Sequence, residues 1–523
     1  MSQKIAVIGA GPGGMTAALI LAGQGFDVTV FERGKRVGGR NASFTQGGYT
    51  HDIGPTFLMM KYLLDEVFAA AGERSSDWIE FMELDPMYRL VFPDFVYEPT
   101  TDLDRVKAQL AARFPGSEKG VDRFMAYERA RFQRIAPCLQ KPYLQPWDLV
   151  NPRTMRLLPD ALSRKSVYDV LKGYFGEDQL AIAFSFQSKY LGMSPWECPG
   201  FFSMLAFIEY EYGVYHVKGG LSEISTGMAK AAQKHGCKIR LETPIDEIVV
   251  KRNQAKGVRL EDGSVETFDD VVVNADFGYA VTNLFPEGTI RNYTPERLRK
   301  LGISCSTFML YLGVDREYPD HRHHTIYFAE DYENCVKDIF AERLPRDYSI
   351  YVRNASATDP TLAPSGHSSI YVLVPMPICR AGVDWAVEAP RVRERTLELL
   401  ESRCGLANLR QHIREERMIT PADWRDRFNV FDGATFNLAH TIPQMLYFRP
   451  RNKFEEVDNC YLVGGGTHPG SGLPTIYESG RITANLLLKR YGKPEVKVGT
   501  EMPESPGPTT VSMPAVAAKA SSV

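Results

Sequence analysis

Residues 4–43 constrain this chain more than any other stretch. The run Ile-Ala-Val-Ile at 5–8 is short, apolar and largely β-branched, the composition of a strand buried on both faces. Gly9, Gly11, Gly13 and Gly14 follow it without a gap. A small-residue helix is predicted next over 15–23, Gly25 breaks it, and 27–31 reads as a second strand ending at Glu32.

Each residue type in this pattern has a physical task. Gly9 permits a tight turn, Gly11 lets backbone approach a pyrophosphate, and Gly14 lets helix and strand pack closely. The unpaired amides at the helix start favour phosphate. Glu32 stands where a carboxylate accepts both hydroxyls of an adenosine ribose and repels a 2′-phosphate, so FAD or NAD is expected over NADP.

The segment Arg-Val-Gly-Gly-Arg-Asn-Ala-Ser at 36–43 separates FAD from NAD. It matches R-x-G-G-R-x-x-S/T and resembles the flavin-binding half of the amine oxidase and carotenoid desaturase superfamily. The resemblance implies a second backbone approach to the same FAD, with Arg40 near the diphosphate and Arg33 and Gly39 in the cofactor-binding set. It also places the turn Gly54, Pro55 and Thr56 beside the flavin, the amide of Ile245 at the adenine, and Asn274 on a return strand next to the cofactor. The same 54–56 letters equally read as a helix cap.

The C-terminal motif is the most specific. A strand at 460–463 leads into Gly464, Gly465, Gly466, Thr467, His468, Pro469, Gly470, Ser471, Gly472, Leu473 and Pro474, and a helix is predicted over 475–491. Pro474 suits a first helical position, and the free amides after it can face a partial negative charge. Thr-His-Pro-Gly-x-Gly-Leu-Pro is similar to the hallmark of the phytoene/carotenoid desaturase family. By that resemblance Gly465, Gly466, Leu473, Pro474 and Thr475 bind the flavin.

Composition excludes several classes. The chain has 523 residues, 24% charged, with net charge −3 and no basic stripe, which argues against a nucleic-acid partner. Its eight cysteines are scattered singly, neither a disulfide frame nor a zinc site. His321, His323 and His324 invite a metal reading, but without an acid or cysteine at ligand spacing an exposed loop is expected and no metal. No run is long enough to span a bilayer.

Between the glycine motifs the signals are weaker. The apolar stripe at 57–71 reads as core, with a lipid-dipping lip as the alternative. Helical patterns dominate from 85 to 191. Some family members have an Asp with nearby basic residues here, suggested as acid-base groups; Asp148 and Arg153 are the corresponding catalytic candidates, and a helix cap is the structural reading of Asp148. The aromatic-rich stretch 201–215 fits either a tunnel for a long apolar substrate or core packing, and Glu209 and Glu211 within it share a face only on a strand. Strand patterns at 304–311, 349–352 and 368–374 imply a second sheet, with a helix over 391–403.

The expected fold is α/β: a Rossmann-type FAD-binding domain, glutathione-reductase-like, with a mixed-sheet substrate domain and a helical membrane-associating region. The FAD domain is assigned to 1–80, 213–285 and 455–492, the helical insertion to 85–212, the substrate domain to 286–454, and a disordered tail to 493–523. The resemblance implies an FAD-dependent desaturase acting on a linear C30 or C40 carotenoid precursor by hydride transfer to flavin N5, with oxygen or a quinone as electron acceptor. An isomerase or terminal oxidase of the same family, and a flavin-free lipid-binding module of the GDP-dissociation-inhibitor type, are the alternatives. At ~0.8 kcal/mol per carbon, moving such a hydrocarbon from water would exceed the roughly 20 kcal/mol ceiling on non-covalent affinity. The substrate therefore has to pass from a bilayer, and a cytoplasmic protein lying on the inner face of the membrane is expected.

Overall fold

The computed structural model describes residues 2–497. The N-terminal elements form as predicted: β1 (Lys4–Ile8), a helix α1 (Pro12–Gly23) and β2 (Asp27–Phe31). They belong to a five-stranded parallel sheet with β3 (Lys238–Arg240), β4 (Asp270–Val273) and β5 (Cys460–Leu462), in the order β5-β4-β1-β2-β3. Every residue from Pro12 to Ala22 is buried, because α1 packs between the helix Ser222–Lys234 and the C-terminal helix α2 (Leu473–Arg490). A helix that is apolar all round is stable only in such a sandwich.

Parallel pairing puts the carboxyl ends of β1, β4 and β5 at one edge. The loops after them carry Gly9 to Gly14, Asn274 and Gly464 to Gly466, so three segments separated by hundreds of residues meet at the crevice where open α/β sheets bind ligands.

The second sheet has seven strands, in the order Ile413–Ile419, Ser306–Val314, Ser368–Met376, Ile350–Asn354, His324–Tyr327, Arg89–Val91 and Val96–Tyr97. Its faces follow strand alternation. Phe308, Leu310, Ile370, Val372 and Val374 pack in a core with the helix Trp385–Ser402, while Thr307, Met309, Tyr371, Leu373 and Pro375 face a cavity. That helix begins six residues before the predicted one.

Two expectations change. The segment assigned to a helical insertion opens with two strands that extend the second sheet: Arg89–Val91 pairs in parallel with His324–Tyr327, and Val96–Tyr97 pairs antiparallel with Arg89–Val91 at the edge. The histidines at 321, 323 and 324 are not an exposed loop: all three are buried, and His324 starts a central strand. The stretch 57–71 is core, as read, and not the alternative lip: Leu63, Leu64, Val67 and Phe68 are buried on the helix Lys61–Ala70. In the tail, Lys493 Nζ donates to Gln24 O at 2.6 Å and Val496 N to Asn485 Oδ1 at 2.8 Å; the expectation for 498–523 lies outside the described residues.

Candidate functional site

Between the five-stranded and seven-stranded sheets lies a cavity of about 1210 Å³. Its two halves differ in chemistry. One is walled by the glycine loops and the ends of β1, β2 and β4; the other by the second sheet, the helix Tyr332–Phe340 and aromatic side chains including Phe57, Phe186, Tyr190 and Tyr351.

The glycine half is built by close backbone approach. A Cβ on Gly14 would meet Gly9 O at 2.3 Å, so helix and turn contact directly. A Cβ on Gly13 would lie 2.9 Å from Asn274 Oδ1 and 3.0 Å from Gly464 N. The two ends of the chain therefore touch across Asn274, whose Nδ2 donates to Gly9 O at 3.1 Å. Glu32, buried at the end of β2, accepts from the amides of Ala10 and Gly34, each at 2.8 Å. Those bonds fix the carboxylate and leave lone pairs for a ligand hydroxyl. Arg40 donates to Thr435 O at 2.9 Å and stands 3.9 Å from Asp276, a carboxyl raised by burial and held down by Arg40.

Gly9, Gly11, Gly13, Glu32, Arg33, Gly39, Arg40, Gly54, Pro55, Thr56, Ile245, Asn274, Gly465, Gly466, Leu473 and Pro474 all line this cavity. Gly14 and Thr475 do not: Gly14 packs inward, and the Thr475 hydroxyl donates to Ser471 O at 2.8 Å. Asp148 and Arg153 also lie outside the wall. Asp148 Oδ2 accepts from Leu144 N and Gln145 N, each at 2.8 Å, as a helix cap, and Arg153 is exposed.

The turn at 54–56 is held from behind. Asp52 and Arg353 pair at 2.7 Å, each side chain 2% exposed, and Asp52 also accepts from Leu221 N and Ser222 N. His216 and His323 accept from Arg353 and are held neutral, chiefly by burial. Tyr351 donates to Thr56 Oγ1 at 2.8 Å and Tyr371 to Gly54 O at 3.0 Å. The loop leading to α2 is tied by Arg449, fully buried, which donates to the carbonyls of Gly465, Thr467 and Leu438. Burial pulls this guanidinium down to about 9.

Of two titratable groups at the apolar half, the sequence reading named Glu209 only as a pair with Glu211 and passed over Lys189. Glu209 is fully buried on the helix Met204–Tyr212, where Tyr88 donates to it at 2.7 Å and Gln187 at 2.8 Å. Burial pushes its carboxyl up to about 7. Its Oε1 and the Tyr190 hydroxyl, which faces it from the cavity wall, have no partner other than each other. Lys189, also in the wall, is drawn down to about 8 by burial. No local pattern marks either residue, since both depend on what packs around them.

The cradle fits a flavin dinucleotide. Bare backbone at Gly11, Gly13 and Gly464, a fixed carboxylate at Glu32 and the first turns of α1 and α2 supply what a pyrophosphate, a ribose and an electron-rich ring edge require.

A family model described as flavin containing amine oxidoreductase matches residues 12–488. The chain is 47% identical over 494 residues to a 4,4′-diapophytoene desaturase (4,4′-diapolycopene-forming) of Methylomonas sp, covering 94% of this chain and 96% of the relative. It is 41% identical to an all-trans-zeta-carotene desaturase of Myxococcus xanthus, with 94% of each covered. Among solved structures, putrescine oxidase bound to putrescine shares the fold at TM-score 0.61 and 14% identity, over 94% of this chain and all of that one.

Proposed function

The chain belongs to the flavin-containing amine oxidoreductase family, and from that premise we propose that it is an FAD-dependent desaturase of a linear C30 or C40 polyene precursor. The observation that carries the reading is one continuous cavity running from the dinucleotide cradle to an apolar, aromatic wall. Such a space takes a cofactor at one end and a long hydrocarbon at the other. The relatives act on substrates of this kind by their names.

Bound in the cradle, the flavin supplies a two-electron oxidant that accepts hydride at N5. The protein's own work is positioning, exclusion of water and removal of a proton. The amides at the start of α2 place partial positive charge toward the cradle, where reduction deposits negative charge. Tyr351 and Tyr371 hold the 54–56 turn by its hydroxyl and carbonyl. Loss of hydride from one carbon leaves a proton to be taken from its neighbour as the double bond forms. In this reading the Tyr190 hydroxyl oxygen, in the cavity wall, receives that proton while its own passes to Glu209 Oε1, whose affinity near neutrality suits a transient acceptor. Oxygen or a bilayer quinone completes the cycle as electron acceptor.

The exposed side chains support peripheral membrane contact. Trp147, Val150, Leu158 and Leu162 are exposed on consecutive short helical turns, interleaved with exposed Arg153, Arg156, Arg164 and Lys165. The turn bearing exposed Phe448 packs beside Trp147. Apolar side chains among cations suit a lipid surface, and no helix among the described residues is long and apolar enough to cross a membrane.

Expression in a pigment-free host that makes either C30 or C40 precursor tests the function. A red-shifted product from one of them, together with flavin absorbance of the purified protein, is expected. A flavin-bearing protein that leaves both precursors colourless would exclude desaturation.

A further inference from the structure

Lys189 is out of place in a wall built for a hydrocarbon. Around it the cavity is lined by Cys305, Ile326, Tyr332, Cys335 and Ile339, and its Nζ stands 5.2 Å and 4.6 Å from the ring centroids of Phe328 and Tyr332. Among the described residues no carboxylate lies within ion-pair distance of Nζ and no hydrogen bond to it is formed. Its remaining accessible surface opens into the cavity. Two ring faces compensate an ammonium only in part, and a desolvated cation without an acceptor is costly. A pure hydrocarbon lying against Lys189 supplies no acceptor and removes what water the amine has.

We propose that Lys189 forms a subsite for the oxygen-bearing end of a linear polyene, a terminal carbonyl or carboxylate, so that the cavity holds oxygenated polyenes more tightly than the parent hydrocarbon. The proposal rests on the desaturase reading for the apolar body of the ligand; the polar end is inferred from Lys189 and its surroundings alone. An acceptor oxygen at Nζ restores the missing hydrogen bond, and a carboxylate also neutralises the charge.

The amine can be titrated in place. Of the groups facing it, the Cys305 thiol is pushed up to about 12, the Cys335 thiol is raised, and the hydroxyls of Tyr332 and Tyr190 lie well above their ordinary value, all through burial. Lys189, at about 8, is the member of this cluster that changes charge between pH 7 and 9.5.

The test compares a C30 polyene hydrocarbon with the same chain ending in a carboxylate or an aldehyde, each delivered in lipid vesicles to the flavin-loaded protein. Binding is read from quenching of tryptophan fluorescence, since Trp196 lies 5.7 Å from Tyr332, and turnover from the polyene spectrum. The carboxylate should bind at least about tenfold more tightly than the hydrocarbon at pH 7, roughly 1.4 kcal/mol. That preference should vanish at pH 9.5, and in Lys189→Met the hydrocarbon should gain affinity while the carboxylate loses it. Equal affinity of the wild-type protein for both ligands, or a preference indifferent to pH 9.5, overturns the subsite; neither readout depends on the variant folding. Hydrocarbon turnover is read separately: its absence beside an intact carboxylate preference sinks the desaturase reading and leaves the subsite standing.

Discussion

Glu209 has no water in which to ionise, and that sets a measurable signature. Its carboxyl is raised from 4.5 to about 7 by burial, so the unfolded chain gives up this proton at lower pH than the folded one. The associated stability is fully present below pH 4.5 and is lost as pH rises through 7, by roughly 3 kcal/mol for a fully buried group. Glu209→Gln keeps the shape and an acceptor for Tyr88 while removing the titration. Its melting temperature should therefore fall less than wild type between pH 5 and 8.5; parallel curves would disprove the raised carboxyl. If Glu209 also takes the proton through Tyr190, kcat of the variant should drop ten- to a hundredfold with KM little changed. The sequence could not single this residue out. Glu209 and Glu211 stand two apart in an aromatic run that fits strand or helix, and only the helix sends Glu209 inward and Glu211 out to Arg129 at 2.6 Å. Asp148 shows the converse: an acid with basic neighbours in sequence proves to be a cap.

At the scale of elements, the glycine loops were legible and the short strands were not, for one reason. A backbone that must touch another backbone admits only glycine, so both loops stand out in the letters, while the contact of Gly13 with Gly464 is shown by the structure. Arg89–Val91 and Val96–Tyr97 are three and two residues long, too short for alternation to show, and the strand that ties Arg89–Val91 into the sheet lies more than two hundred residues away. Gly13→Val would drive apart the loops after β1 and β5 and fill the cradle. Purified variant protein should retain under a tenth of the wild-type flavin, read from absorbance, while far-ultraviolet circular dichroism stays native. The loop leading to α2 depends on a different device. Arg449→Met leaves the carbonyls of Gly465, Thr467 and Leu438 without their buried donor, a loss of about 3–5 kcal/mol by analogy with broken buried charge networks. The expected result is a melting temperature several degrees lower together with weaker flavin retention. A variant as stable as wild type would show that the loop holds itself.

For the whole molecule, the arrangement that matters is a group of exposed apolar side chains on the short helical turns at 147–162 and at Phe448. Trp147 is 67% exposed, Val150 and Leu162 75%, and Phe448 60%, side chains that a water-facing surface does not require to sit together. Burying them in a lipid interface contributes about 1.5–3 kcal/mol each, and the exposed Arg153, Arg156, Arg164 and Lys165 add ~1 kcal/mol apiece over anionic lipid. On the proposed membrane contact, these contributions together would hold the protein at a lipid surface without a spanning segment. By the same proposal Arg153, first read as an acid-base candidate, acquires an interfacial task, and the lipid-facing lip is placed at 147–162 instead of the alternative site at 57–71. Flotation with vesicles containing anionic lipid should bring up most of the wild-type protein, and the bound fraction should fall as salt screens the cationic share. Trp147→Asp combined with Phe448→Asp should cut binding more than tenfold at any salt. Its activity on substrate dissolved in detergent should be preserved, because neither residue lines the cavity. Should the double variant float as well as wild type, this group is not the membrane-binding face.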